Sequence, residues 1–341
     1  MSDDGRFLKA CRREPTDVTP VWFMRQAGRY MPEYRKLRER HSLLDLCHEP
    51  ELAAQVTLQP VAQLGVDAAI LFADLLLPFE PLGLGLSFAA GEGPHIAHAI
   101  ERPADVERLP PVNPETDLGY VLEAVRLARA ALPPGVPLIG FAGAPFTLAS
   151  YAVEGGATRT FTKTKTLMYQ APDTWRLLLD KLADLVGRYL VAQAWAGAQA
   201  VQLFDSWVGC LAPEEYRTYV LPHTRRTLAL TAAAGVPVIH FGTGTAPFLG
   251  DFAAAGGDVI GVDWRIPLDE AWRHVGPDRA IQGNLDPAAL LAPQPERDRQ
   301  VRDVLARAGG RPGHIFNLGH GVLPETDVAA VRAVVELVHG G

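Results

Sequence analysis

The chain has 341 residues, 48% hydrophobic and 21% charged, with a formal net charge of −7 and a pI near 5.8. Such a composition supplies a substantial core, and its acidity argues against nucleic acid or an anionic membrane surface as the main partner. The N-terminus has no apolar signal segment, and the most apolar runs, such as Leu228 to Phe241, are short and broken by Gly235 and Pro237. No membrane span is expected, and a cytoplasmic location is. Cys11, Cys47 and Cys210 form no Cys-x-x-Cys pair and read as free thiols in a reducing compartment.

In chain order, Val21 to Met24 is an apolar run short enough for one buried strand. It changes at once to Arg25, Gln26, Gly28 and Arg29; Gly28 frees the backbone and Pro32 ends any strand. Tyr34–Cys47 and Pro50–Leu64 read as helices, the second closed by Gly65. Asp67–Asp74 is a second apolar strand, ending in an acid. From Leu75 to about Asn113 the chain is loop-rich, with Gly83–Phe88 and His95–Ile100 forming a small hairpin or an irregular rim. Leu118–Leu132 is helical and the prolines after it break it. Leu138–Gly143 is the third strand, and Tyr151 lies past its end.

Thr174–Ala196 is a long helix with Trp175, Leu178, Leu182, Leu185 and Tyr189 on one face. The strand Ala200–Ser206 follows, then a helix over Pro213–Ala234 that Pro222 breaks or kinks. Four further strands, Pro237–Gly242, Asp258–Trp264, Arg279–Asn284 and His314–Gly321, alternate with helices over Ala246–Ala255, Leu268–Val275, Arg297–Arg307 and Thr326–Val338. Eight apolar strands, each followed by at least one helix, predict an α/β fold, a single (β/α)8 TIM-type barrel over residues 1–341 with its active site at the C-terminal strand ends. A doubly wound open sheet is the alternative, but it would carry a Gly-rich nucleotide loop after its first strand, and the sequence has none.

Polar residues gather at those strand ends: Arg25 and Arg29, Asp74, Tyr151, Asp205 and Ser206, His240, Asp263, Asn284 and Asp286, Asn317 and His320. Between Val21 and His41 six cations face two acids, a local positive patch on an acidic chain, which suits focused capture of an anion. Guanidinium groups grip carboxylate or phosphate in a bidentate way. Arg35 to Arg40 read as a solvated helix face, whereas Arg25 and Arg29, at the end of a buried strand, read as ligand-facing. A lone Tyr or His near a strand end is more often structural than catalytic, and Asp205 and Asp263 read as loop-bracing acids. Asp74 differs, because apolar residues flank it on both sides and a carboxylate there needs a partner or a ligand.

The stretch Trp22-Phe-Met-Arg-Gln-Ala-Gly-Arg-Tyr-Met-Pro-Glu-Tyr34 resembles the N-terminal signature of the uroporphyrinogen decarboxylase family. So do Phe72-Ala-Asp74, Gly143-Ala-Pro-Phe-Thr-Leu-Ala-Ser-Tyr151, Phe204-Asp-Ser-Trp207, Gln282-Gly-Asn-Leu-Asp-Pro287 and Asn317-Leu-Gly-His-Gly321, which together cover the chain from Val21 to about Gly321. Ala73 stands where serine is common in that family. The resemblance implies cofactor-independent decarboxylation of the four acetate arms of uroporphyrinogen III to methyl groups, giving coproporphyrinogen III on the route to haem. It implies substrate contacts from Arg25, Gln26, Ala27, Gly28, Arg29, Asp74, Tyr151, Ser206 and His320, with Asp74, Arg25 and Arg29 serving the chemistry, no metal, and a homodimer. Arg25, Arg29 or a bound water are the candidate proton donors, and His320 is a hydrogen-bond partner for a substrate carboxylate.

Related methyltransferases resemble zinc enzymes with a His-x-Cys near strand five and a later cysteine. Here His240 is followed by Phe241 and Gly242, and no cysteine follows Cys210, which argues against that chemistry. A non-catalytic tetrapyrrole carrier with the same cavity is a third reading, separated from the enzyme by a turnover assay.

Overall fold

The computed structural model describes residues 5–88 and 93–340. Its strands are β1 (Ala69–Ile70), β2 (Leu86–Phe88), β3 (Pro94–Ile96), β4 (Leu138–Gly143), β5 (Ala200–Asp205), β6 (Val238–Gly242), β7 (Val259–Gly261), β8 (Ala280–Gln282) and β9 (His314–Ile315). Seven of them form one parallel sheet in the order β1-β4-β5-β6-β7-β8-β9. Helices cover the outer face, and the strands are buried almost throughout, as a parallel sheet clothed by crossover helices requires. The sheet is curled. Trp22 Nε1 donates to Gln282 Oε1 on β8 at 3.0 Å, and Gln282 Nε2 donates to Gln202 Oε1 on β5 at 3.1 Å, so side chains from non-adjacent staves meet on the concave side.

The sheet has seven strands where eight were expected. The missing one is the opening segment, whose single ladder contact pairs Val21 with Phe316. On that flank Phe316 N donates to Pro20 O at 2.8 Å and Trp22 N to Phe316 O at 3.3 Å. On the other flank Asp67 N donates to Val21 O at 2.8 Å, but Val21 N donates to the Asp67 carboxylate at 2.7 Å, not to a peptide carbonyl. A side chain takes the place of a ladder rung, so regular pairing stops after one residue. Val21, Trp22, Phe23 and Met24 are nonetheless buried.

Two expected helices are each divided, for identifiable local reasons. The span Tyr34–Cys47 becomes helices Pro32–Arg38 and Leu43–His48, because Ser42 and Asp45 form a reciprocal capping box that starts a new helix. The span Pro213–Ala234 divides at Val220, and Pro222 occupies the first turn of the second helix, where its missing N–H is harmless. Tyr151 lies past the end of β4, as expected, within a helix, Pro145–Glu154, to which sequence reading assigned no element. The helix Arg6–Cys11, packed under β9, carried no signal that sequence reading used. The antiparallel pair β2–β3 is the small hairpin expected in the insertion, and β3 is tied to residues 155–156 by Ile96 N donating to Gly155 O.

Candidate active site

A cavity of about 1150 Å³ opens at the C-terminal ends of the strands. Its floor is largely aromatic and aliphatic, with Phe72, Phe141, Phe204 and Phe241 among its walls, and Phe141, Phe204 and Phe241 meet edge to face. Among the described residues, arginines stand around it, Arg25, Arg29, Arg38, Arg40 and Arg265, against two acids, Asp74 and Glu39. An apolar floor under a cationic rim fits a flat hydrophobic body carrying anionic arms.

The turn after Met24 sets the position of Arg25. Its backbone has φ of 59°, a left-handed conformation that costs a non-glycine residue about 1 kcal/mol. The turn is held in place around it: Gln26 N donates to Phe23 O, Tyr30 OH donates to Gln26 O, and Arg35 Nη1 donates to the carbonyls of Arg29 and Tyr30. The aliphatic stem of Arg25 lies on Gly321, where any Cβ would overlap it.

Asp74 follows β1 in irregular backbone. One oxygen accepts the Leu76 amide at 2.9 Å, and the residue lines the cavity. Burial pushes its pKa above the ordinary carboxylate value, opposed by the Leu76 amide and by the nearby Arg25 charge. Tyr151 projects from its helix and stacks on Trp207, ring centroids 3.7 Å apart, with Phe161 edge-on to the same indole. Burial and then Asp74 push the Tyr151 phenol up to about 12, so it stays protonated and able to donate. Ser206 lines the wall beside Trp207, its carbonyl accepting the Thr243 hydroxyl.

His320 accepts the Gly321 amide at Nδ1, 2.7 Å, which leaves Nε2 as the proton-bearing nitrogen of the neutral ring. Burial, then the charges of Arg25 and Arg265, hold its pKa down at about 4. It is therefore a neutral hydrogen-bond donor at pH 7.

Of the expected substrate contacts, Arg25, Ala27, Gly28, Arg29, Asp74, Tyr151, Ser206 and His320 all line this cavity. Gln26 does not. It is fully buried, its Oε1 accepts Phe23 N and its Nε2 donates to Ala68 O, so it staples the opening segment to the residue just before β1. Adjacent residues in a tight turn point to opposite sides, and Gln26 takes the inner one. His240 also lies away from the cavity, buried and stacked on Phe252 at 3.7 Å. Asp263 braces loops, accepting Gly244 N at 2.7 Å and Arg265 N at 3.2 Å. Asp205 accepts the Thr147 hydroxyl at 2.8 Å, and burial raises its pKa to about 7. Sequence reading assigned Arg38 and Arg40 to a solvated face; both are exposed, as expected, and both also stand on the cavity rim. Arg265 was missed, although the strand-ending acid two residues earlier was the available signal.

The fold and cavity define a class: an α/β enzyme with its site at the C-terminal edge of a curled parallel sheet. That architecture is shared with a methyltransferase from Methanosarcina mazei, with a TM-score of 0.83 at 20% identity over 99% of this chain and 98% of that one. A B12-independent methionine synthase from Shewanella sp. W3-18-1 is similar more loosely, with a TM-score of 0.59 at 11% identity over 85% and 86%. At such identities the likeness concerns the fold alone.

Sequence relationships narrow the class. Residues 2–341 match the family Uroporphyrinogen decarboxylase (URO-D). A uroporphyrinogen decarboxylase of Sorangium cellulosum is 61% identical over 334 residues, 98% of this chain and 95% of that protein. The one from Carboxydothermus hydrogenoformans is 56% identical over 333 residues, again 98% and 95%. The chain belongs to the uroporphyrinogen decarboxylase family.

Proposed function

We propose that this chain decarboxylates uroporphyrinogen III, converting its four acetate arms to methyl groups and yielding coproporphyrinogen III in haem biosynthesis. The observation that carries the reading is Asp74, a carboxylate in an apolar wall with one amide partner, facing a cavity rimmed by arginines. A tetrapyrrole supplies what each part lacks. Its carboxylate arms meet the guanidinium groups, its rings lie on the aromatic floor, and its pyrrole N–H groups donate to Asp74.

The chemistry needs no cofactor. Protonation of a pyrrole at the carbon beside an acetate arm makes the ring a cation and an electron sink. The bond to the carboxylate then breaks, carbon dioxide leaves, and its electron pair neutralises the ring as an exocyclic methylene. Protonation of that methylene and loss of the ring proton restore the pyrrole with a methyl group. A fixed anion at Asp74 is worth most when the ring is positive, so its effect falls on the transition state. Arg25 and Arg29 hold and orient the arms and, with bound water, are the candidates for proton delivery. Tyr151 and His320 donate hydrogen bonds, and Ser206 adds a hydroxyl.

In this reading Pro20–Met24 is the eighth stave of a single-domain (β/α)8 barrel, a role supported by its hydrogen bonds to Phe316 and Asp67. Family membership supports a homodimer acting in the cytoplasm; among the described residues no helix is long and apolar enough to cross a membrane. The test is anaerobic incubation with uroporphyrinogen III and chromatography of the products. Stepwise loss of carboxylates to the four-carboxylate product is expected, and binding without turnover would leave a carrier instead.

A further inference from the structure

We infer that Arg265 is a carboxylate-binding residue that seats one anionic arm of the tetrapyrrole at the β7–β9 side of the cavity. The inference rests on the function proposed above and adds a contact outside the opening segment. The guanidinium is braced on two sides. Its Nη1 is bonded to the buried Asp263 carboxylate, and its Cζ lies 4.1 Å from the centre of the Trp264 ring. Asp263 is itself fixed by the Gly244 and Arg265 amides. The Nε and Nη2 donors have no hydrogen-bond partner among the described residues, the side chain is half exposed, and the residue lines the cavity. A planar, stacked and internally paired guanidinium with an open edge loses little freedom on meeting a carboxylate.

A second observation comes from the neighbouring strand end. Gly319 packs directly on the Asp263–Trp264 backbone, with no room for a Cβ, which brings the β7 and β9 loops together. Arg265 is thereby close enough to His320 to depress its protonation, as Arg25 also does. Arg25, His320 and Arg265 thus form one band of donors along this edge, two of them charged and one neutral. A single small anion needs less. A substrate with several carboxylates spread around a macrocycle uses the whole band.

The test compares Arg265→Gln and Arg265→Lys with the parent enzyme, using uroporphyrinogen III under anaerobic conditions at two ionic strengths. Arg265→Gln should raise KM about tenfold, the scale of one charge-assisted hydrogen bond, and change kcat by less than about threefold. It should also flatten the dependence of KM on salt, and Arg265→Lys should recover part of both effects. An unchanged KM and salt slope in a normally folded Arg265→Gln would overturn the inference while leaving the parent activity standing. A KM rise equal in both variants with an unaltered salt slope would also overturn it, by assigning Arg265 to loop bracing. Absence of turnover in the parent enzyme would remove the proposed function and this inference together.

Discussion

Two aspartates seven residues apart, Asp67 and Asp74, flank the same short strand and have opposite surroundings. Asp67 is saturated. It accepts Val21 N at 2.7 Å, Arg6 Nη1 at 3.2 Å and His339 Nε2 at 2.8 Å, joining the N-terminal helix, the opening segment and the C-terminal helix. Asp74 accepts one amide and faces the cavity. Asp67 is buried and compensated by the fold; Asp74 is half-buried at the cavity wall and is left for a ligand. The difference marks which acid holds the architecture and which serves the chemistry, because a buried charge without a partner is costly to keep.

Exchanging the two acids for amides is the strongest way to break this contrast. Asp74→Asn should lower turnover by at least about a hundredfold, the scale of losing a preorganised electrostatic stabiliser, and Asp74→Glu should retain more activity than Asn. Because the folded-state pKa of Asp74 is raised, its ionisation opposes folding. The stability linked to the protonated form is present at low pH and lost as pH rises through the folded-state pKa. Asp74→Asn should therefore melt at or above the parent temperature at pH 7, with the gap closing on acidification. Asp67→Asn should do the reverse, losing about 3 kcal/mol of stability by disrupting a compensated cluster while each folded molecule keeps its turnover. Calorimetry and steady-state kinetics on the same preparations separate the two.

Next in size, Arg25→Ala and Arg29→Ala should each weaken substrate binding by roughly 1.5–3 kcal/mol, read as KM, with little change in melting temperature. Unaltered kinetics in both would make the patch a solvated surface. Tyr151→Phe and Ser206→Ala should cost about three- to tenfold in kcat/KM, one neutral hydrogen bond each; unfolding in either would move that residue from site to scaffold. The smallest effect is acid sensitivity. His320 has a folded-state pKa near 4 against an ordinary 6.5, so its stability contribution is present above 6.5 and lost as pH falls toward 4. His320→Gln should lose less melting temperature than the parent across that window, and an equal loss would assign the acid response to other groups such as His314.

Much of this was legible in the sequence because the alternation of apolar runs and amphipathic helices is a one-dimensional signal. The helix Leu268–Val275 and the helix Pro50–Leu64 closed by Gly65 in a left-handed cap fall where they were expected. Single side-chain directions are a three-dimensional matter. Arg25 and Gln26 are neighbours in sequence, yet the left-handed backbone at Arg25 sends one to the cavity and the other into the core. Arg38 and Arg40 are exposed, as their charge pattern suggests, but that pattern carries no sign that the edge of the cavity runs past them. Arg265 has local partners, Asp263 and Trp264, but the Gly244 and Gly319 contacts that fix Asp263 and Trp264 beside the cavity come from the loops after β6 and β9, which no local pattern encodes.

The bonds between the opening segment and the end of β9 have a consequence for how the chain matures. Met24 N donates to Asn317 Oδ1 across 293 residues of sequence, and Val322 N returns a bond to Met24 O. The turn that presents Arg25 and Arg29 therefore hangs from a segment whose partner is made 293 residues later. Contacts so distant in sequence form slowly, because loop-closure entropy is lost before they stabilise anything. During synthesis the β1 and β8 margins would remain open while the other helices and strands assembled between them. Anion capture would then wait for this long-range contact, and its appearance in a refolding time course would report the meeting of the two segments.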